Sequence, residues 1–205
     1  MRATRATTAL AGLGLALGLA AAGPSSAAAH AAMPTASQGQ DARITGTDGD
    51  DEIVGTMRGE IIEALAGDDR VEARGGIDNV LGGAGDDQLF GGGGDDHLRG
   101  NGGNDWLHGA GGGDQLIGGP GNDTLDAGPG DDYVKGGRGR DNVDDSPGSD
   151  LVKLGKGDDG FWAWENDGDV DTIRCGPGND TVGYWGEPDA ADVLIDCENV
   201  VDISH

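Results

Sequence analysis

Apolar residues recur through the middle of this chain at an interval of nine, from Gly46 to Trp162. Ile53, Ile62, Val71, Val80, Leu89, Leu98, Leu107, Leu116, Leu125, Val134, Val143, Val152 and Phe161 hold the eighth place of thirteen consecutive units. Two places earlier each unit carries an acid: Asp51, Glu60, Asp69, Asp78, Asp87, Asp96, Asp105, Asp114, Asp123, Asp132, Asp141, Asp150 and Asp159. A period of this kind decides the architecture before any single element is assigned. Six glycine-rich residues predict a turn, because glycine reaches positive φ without steric cost. The three that follow, with one central aliphatic side chain, predict a very short strand. One inward residue per strand cannot build a core alone, so the units must stack and face one another. Two units, eighteen residues, would make one coil of a flattened helix with a strand on each side. Thirteen units would stack about six and a half coils high, an all-β rod of roughly 30 Å at the usual strand spacing.

Both ends depart from the pattern. The register slips by three residues at Ala163-Trp164-Glu165, resumes as NDGDVDTIR with Asp171 and Ile173, and then as CGPGNDTVG with Asp180 and Val182. Leu194, Cys197, Val200 and Ile203 give the last stretch a denser apolar set. A stack of coils needs a distinct terminal cap, and Phe161, Trp162, Trp164, Tyr184 and Trp185 are the residues expected to build it. At the other end Arg2 and Arg5 precede an uncharged run, Ala9–Ala22, and small residues through Ala32. That is the three-part pattern of a secretory leader, with cleavage expected after Ala29 or Ala31; the apolar run is short for a membrane span. The expected division is a leader over 1–31, a linker and entry over 32–45 (the short polar linker being Met33–Ala42), the repeats over 46–162, and degenerate repeats with a cap over 163–205. Cys175 and Cys197 have no CxxC or zinc spacing around them, and are either free thiols or, in an exported chain, a disulfide.

Composition changes the picture in one respect. With 35% hydrophobic residues and a formal charge of -25, the chain would ordinarily read as disordered. A regular file of carboxylates removes that implication, since multivalent cations can neutralise it. The charge argues against nucleic acid, because Lys and Arg total 13 and are expected to form no stripe, and against anionic membranes. Oxygen-rich turns suit calcium, which accepts six to eight oxygens in flexible geometry, better than magnesium; zinc would want Cys or His. An EF-hand over Asp167, Asp169 and Asp171 fails, because Thr172 and Gly178 stand where Gly and Glu are required. No Ser, Cys or His constellation points to catalysis, so the chain is expected not to be an enzyme.

The units Gly82–Phe90 (GGAGDDQLF), Gly91–Arg99 (GGGGDDHLR) and Gly118–Asp126 (GGPGNDTLD) closely resemble the RTX, or hemolysin-type, calcium-binding nonapeptide G-G-x-G-x-D-x-U-x. The resemblance implies a parallel β-roll with several calcium ions held between turns on one edge, by turn carbonyls and sixth-place Asp side chains. Asp69, Asp87, Asp96, Asp105, Asp114, Asp123, Asp132 and Asp141 are the metal residues it implies. With two units per coil the pairs would be Asp87 with Asp105, Asp105 with Asp123, Asp96 with Asp114, and Asp114 with Asp132. Gly55–Glu63 (GTMRGEIIE), Ala64 and Ala73 at a leading glycine, and Asp145–Lys153 (DSPGSDLVK) depart from the pattern; those units are expected to extend the roll. The segment RCGPGNDTV…DCENV resembles the closing module of secreted relatives, which implies a Cys175–Cys197 bridge and a disulfide-closed cap. The expected protein is a secreted, extracellular monomer that binds calcium, folds on doing so and inserts into no membrane. Adhesion to a cell-surface or matrix glycan through Trp106, Trp162, Trp164 and Trp185 is the alternative.

Overall fold

The computed structural model describes residues 29–30, 42–144, 146–163, 169–185 and 191–203. Most of the leader, most of the linker and Trp164 lie outside the described residues. One sheet, the odd sheet, contains β1 (Ala29–His30), β3 (Asp51–Val54), β5 (Arg70–Gly75), β7 (Gln88–Gly93), β9 (Trp106–Gly111), β11 (Thr124–Asp126), β13 (Asn142–Asp144), β15 (Gly160–Ala163), β17 (Thr181–Tyr184) and β19 (Asn199–Asp202), in that order. The even sheet contains β2 (Ala42–Thr45), β4 (Glu60–Ala66), β6 (Asn79–Ala84), β8 (His97–Gly102), β10 (Gln115–Pro120), β12 (Tyr133–Arg138), β14 (Leu151–Lys156), β16 (Thr172–Arg174) and β18 (Val193–Ile195). All pairings are parallel. Successive strands therefore alternate between sheets, and the chain is an all-strand parallel β-solenoid. There is no helix among the described residues, and so none long and apolar enough to cross a membrane.

Register follows the doubled period. Leu89 lies beside Val71 and Leu107, and Leu98 beside Val80 and Leu116. Each eighth-place side chain from Ile53 to Phe161 is at most 2% exposed, and together they form one continuous core with the buried first-place residues Ala64, Ala73, Ala127 and Leu154. A strand pleat sends seventh and ninth places outward and the eighth inward, which is why one aliphatic residue per unit suffices once the coils stack.

The roll extends beyond the thirteen units at both ends. Ala42–Thr45, at the end of the expected linker and entry, is β2, and it brings Ile44 into the core at 6% exposure. The three-residue slip is absorbed between coils: Val152 pairs with Ile173 and Phe161 with Val182. The tail then continues both sheets, with Leu194 beside Ile173 and Val200 beside Val182. The Cys175–Cys197 disulfide is formed, with its Cα atoms 5.1 Å apart, and ties these last coils together. Of the aromatic residues expected in the cap, Phe161 and Tyr184 are core residues and Trp185 is 49% exposed.

The basic residues do form a stripe, contrary to the linear reading. Lys135 pairs with Lys153, Lys153 with Arg174, and Arg138 with Lys156 across neighbouring strands of the even sheet. Intervals of eighteen and twenty-one residues disperse these charges in sequence, but one coil of the solenoid brings them side by side.

Candidate metal centre

The turns between strands are set by two glycine places. The fourth-place glycines from Gly67 to Gly157 have positive φ, as do second-place residues through the middle of the roll. Gly121 shows why: at φ 144° its Cα lies so close over the Gly103 carbonyl oxygen that a Cβ would overlap it. The second place makes the same approach at Gly92, over the carbonyl of Arg74. Leu65, Arg74, Asn101 and Ala110 adopt positive φ at this place without being glycine.

These turns align the sixth-place acids at a spacing of eighteen. The backbone N–H of Asp87 donates to Asp105 Oδ1 at 2.9 Å, Asp105 to Asp123 at 2.9 Å, Asp96 to Asp114 at 2.7 Å and Asp114 to Asp132 at 2.6 Å. Asp69 donates likewise to Asp87, and Asp123 to Asp141. One carboxylate oxygen of each acid is thereby committed to the neighbouring coil. The other is not: Oδ2 of Asp69, Asp78, Asp87, Asp96, Asp105, Asp114, Asp123, Asp132, Asp141, Asp159 and Asp180 is buried with no hydrogen-bond partner among the described residues. Buried charged oxygens without partners are strongly unfavourable, and a file of them is the chemical signature of a site for a cation. The first-place glycine leaves room beside it. A Cβ on Gly91 or Gly136 would lie 2.5 Å from Oδ2 of Asp96 or Asp141, and one on Gly82, Gly100, Gly109 or Gly118 would come closer to Asp87, Asp105, Asp114 or Asp123. Asp69 and Asp132 have Ala64 and Ala127 at that place instead, both buried.

Burial is the main cause of unusual acidity in this file. It pushes Asp69, Asp96, Asp105 and Asp132 up to about 6, and Asp78, Asp87, Asp141 and Asp150 up to about 7. The backbone N–H from the adjacent coil acts in the opposite direction, and neighbouring carboxylates add to the upward push, as Asp105 and Asp69 do for Asp87. Asp114 and Asp123 are raised by burial too. Among the described residues no group of three or more His, Cys, Asp or Glu side chains converges as a metal cage. The donor set is therefore carboxylate oxygens in a backbone turn, which suits a hard cation that also takes carbonyls and water.

The eight acids singled out from the sequence all share this geometry, and Asp78, Asp159 and Asp180 join them. The first two units differ. Asp51 Oδ2 accepts from Thr47 N–H at 2.5 Å and from its hydroxyl at 3.0 Å, and the Glu60 carboxylate accepts from Thr56 N–H at 3.2 Å and from its hydroxyl. A second ladder, on the fifth place, was not anticipated. Asp86 N–H donates to Asp68 Oδ1, Asn104 to Asp86, Asn122 to Asn104 and Arg140 to Asn122, at 2.6–2.9 Å along the exposed tips of the turns. The recurring Asp-Asp and Asn-Asp pairs at places five and six were its signal. Trp106, 45% exposed, projects from β9 with Phe90 edge-on at 5.3 Å, far along the chain from Trp185.

A family model for the RTX calcium-binding nonapeptide repeat (4 copies) matches residues 54–89, 72–107, 81–116, 108–143 and 136–167. A search of curated proteins returns no match.

Proposed function

The chain belongs to the RTX calcium-binding nonapeptide repeat family, and from that premise we propose that it is a secreted protein whose roll folds as calcium enters between adjacent coils. The observation that carries the proposal is the file of buried Oδ2 atoms without partners. Asp87, Asp96, Asp105, Asp114, Asp123 and Asp141, each beside a first-place glycine, would hold the ions most directly. Asp69 and Asp132, beside alanine, complete the set. Calcium supplies the positive charge that offsets the stacked carboxylates. The chain's own part is to present those oxygens at a fixed eighteen-residue register and to keep water from them with the glycine turns. Because the paired acids are brought together only in the folded roll, binding free energy becomes folding free energy. Export into a calcium-rich medium would then trigger folding outside the cell. Release of the leader after Ala29 or Ala31 removes part or all of β1 and leaves β3 as the first complete strand of its sheet.

Calcium titration followed by far-UV circular dichroism and calorimetry tests this reading. The expected result is a largely unfolded chain in chelator that gains β-structure as several ions bind per molecule. Full β-structure in excess chelator at neutral pH would overturn it. The pH dependence has a definite sign. A folded roll without metal holds protons on acids raised to about 6–7, which the unfolded chain releases near pH 4. Its stability is fully present below that value and is lost as pH rises through 6–7. In chelator, acidification from neutral pH should therefore increase β-structure. In calcium it should decrease it, because protons compete for the same oxygens.

A further inference from the structure

The outer face of the even sheet has a character opposite to the rest of the molecule. Its strands β8, β10, β12, β14 and β16 contain no acid, while the odd sheet carries Glu52, Glu72, Asp126, Asp144 and Asp202. Six of the chain's 13 Lys and Arg residues stand on those five strands: Arg99, Lys135, Arg138, Lys153, Lys156 and Arg174. None of the six forms an ion pair among the described residues; the pairs present are Arg43–Glu63, Arg70–Glu72 and His108–Asp126. In a chain of formal charge -25, carboxylates are abundant, so six bases without one are conspicuously unneutralised.

Their arrangement is a trough. Arg99, Ile117, Lys135, Lys153 and Arg174 follow one another in register along one row, and Pro120, Arg138 and Lys156 along a second. Between the rows lie Gly119, Gly137 and Gly155, which have no side chain to fill the space. The result is an open groove of about 510 Å³ lined by Lys135, Arg138, Lys156, Ile117 and Pro177. A second groove of about 550 Å³, sharing Ile117, Pro120 and Lys135, continues it to Arg99. From β8 to β16 the trough runs about 19 Å along the solenoid axis, and its walls, three residues apart on each strand, are about 10 Å from one another.

We propose that this trough binds an extended acidic polysaccharide, its carboxylates or sulfates between the two rows of cations and its sugar faces on Ile117, Pro120 and Pro177. The shape selects an extended chain over a flat headgroup surface, which cannot reach a glycine floor between two raised walls. Single-stranded nucleic acid is read by aromatic side chains that stack on bases, and among the described residues no aromatic one lines either groove. The acidic remainder of the molecule repels a polyanion everywhere else, so binding is confined to one face.

The test uses the full chain in calcium against three immobilised polymers of one backbone: dextran sulfate, carboxymethyl dextran and plain, uncharged dextran. Retention on both acidic polymers, lost with added salt, and none on plain dextran is the expected result. The Lys135→Gln, Arg138→Gln, Lys156→Gln triple variant should bind at least about tenfold more weakly, and Arg43→Gln, a base outside the trough, should bind within about twofold of the parent. Single Arg138→Gln and Lys156→Gln variants, both at exposed positions, should each lose several-fold and guard against misfolding of the triple variant. Circular dichroism and calcium stoichiometry on the same samples separate loss of the trough from loss of the calcium-dependent fold. No retention, equal retention of plain dextran, an equal loss in Arg43→Gln, or tighter binding to an oligothymidylate or to phosphatidylglycerol vesicles would each overturn the proposal.

Discussion

At Asp51 and Glu60 the carboxylate is held by the amide and hydroxyl of Thr47 and Thr56 in its own unit. At Asp87, Asp105 and Asp123 the corresponding oxygen has no hydrogen-bond partner among the described residues; the second place is Gly83 and Gly119 beside Asp87 and Asp123, and Asn101 beside Asp105 makes no hydrogen bond to it. Both regions have the same fold, the same register and the same buried aliphatic file. They differ in who satisfies the acid. In the first coils the second place carries a side chain that donates, so the turn is chemically complete. In the middle no second-place side chain donates to the acid, whether the residue is glycine, as at Gly83 and Gly119, or Asn101 or Ala110, and Oδ2 is left unmatched. Degeneration of the repeat at the start of the roll is therefore a change of counterpart. The acids of the first coils are satisfied from within the protein.

The widest gap between the two regions is expected at the fourth place. Gly49, in the first unit, has open space where a Cβ would go, whereas Gly121 lies against the Gly103 carbonyl at φ 144°. Gly121→Ala should destabilise the calcium-loaded roll by about 3 kcal/mol or more, while Gly49→Ala should stay within about 0.5 kcal/mol. Thermal unfolding at fixed calcium measures both. Equal losses would mean that the turns of the first unit are as tightly stacked as those of the middle.

A smaller effect probes the counterpart directly. Thr56→Val removes the hydroxyl donor to Glu60 and should cost about 1–3 kcal/mol, the penalty of a buried charged acceptor left short of a partner. Its mark is that calcium stoichiometry by calorimetry stays constant. Asp105→Asn in the middle should instead reduce the number of ions bound. A lower stoichiometry in Thr56→Val would place an ion at Glu60 and erase the distinction between the regions.

Much of this was legible in the chain. A period of nine with one inward residue dictates stacked coils, and two strands per coil dictate strand partners eighteen apart, so the core followed from the period, while the Asp87–Asp105 type of pairing came from the resemblance to the nonapeptide family. Three features were hidden, each for a physical reason. The strand at Ala42–Thr45 keeps its inward Ile44 but has Ala42 at the sixth place, so the acid signal that marks a unit is missing. In the tail, Asp192 and Glu198 accept from Asp171 and Asp180 as sixth-place acids do, but at twenty-one and eighteen residues, which breaks the linear register while preserving the spatial one. The basic trough depends on outward places, which the core does not constrain, so only stacking reveals that Lys135, Lys153 and Arg174 are neighbours.

The finest distinction concerns the second place, where the transition from side chain to glycine is incomplete. Arg74 holds φ 83° in a turn whose counterpart one coil later is Gly92, at φ 113°. A residue with a Cβ in this region is disfavoured by about 1–2 kcal/mol. Glycine removes that penalty and returns roughly 0.5–1 kcal/mol of it as added freedom of the unfolded chain. Arg74 is exposed and its guanidinium forms no ion pair among the described residues, so little else changes on substitution. Arg74→Gly should therefore stabilise the calcium-loaded roll by about 0.5–1 kcal/mol, seen as a small rise in the unfolding temperature, with unchanged calcium stoichiometry. A fall would show that the arginine side chain contributes more than its backbone strain removes.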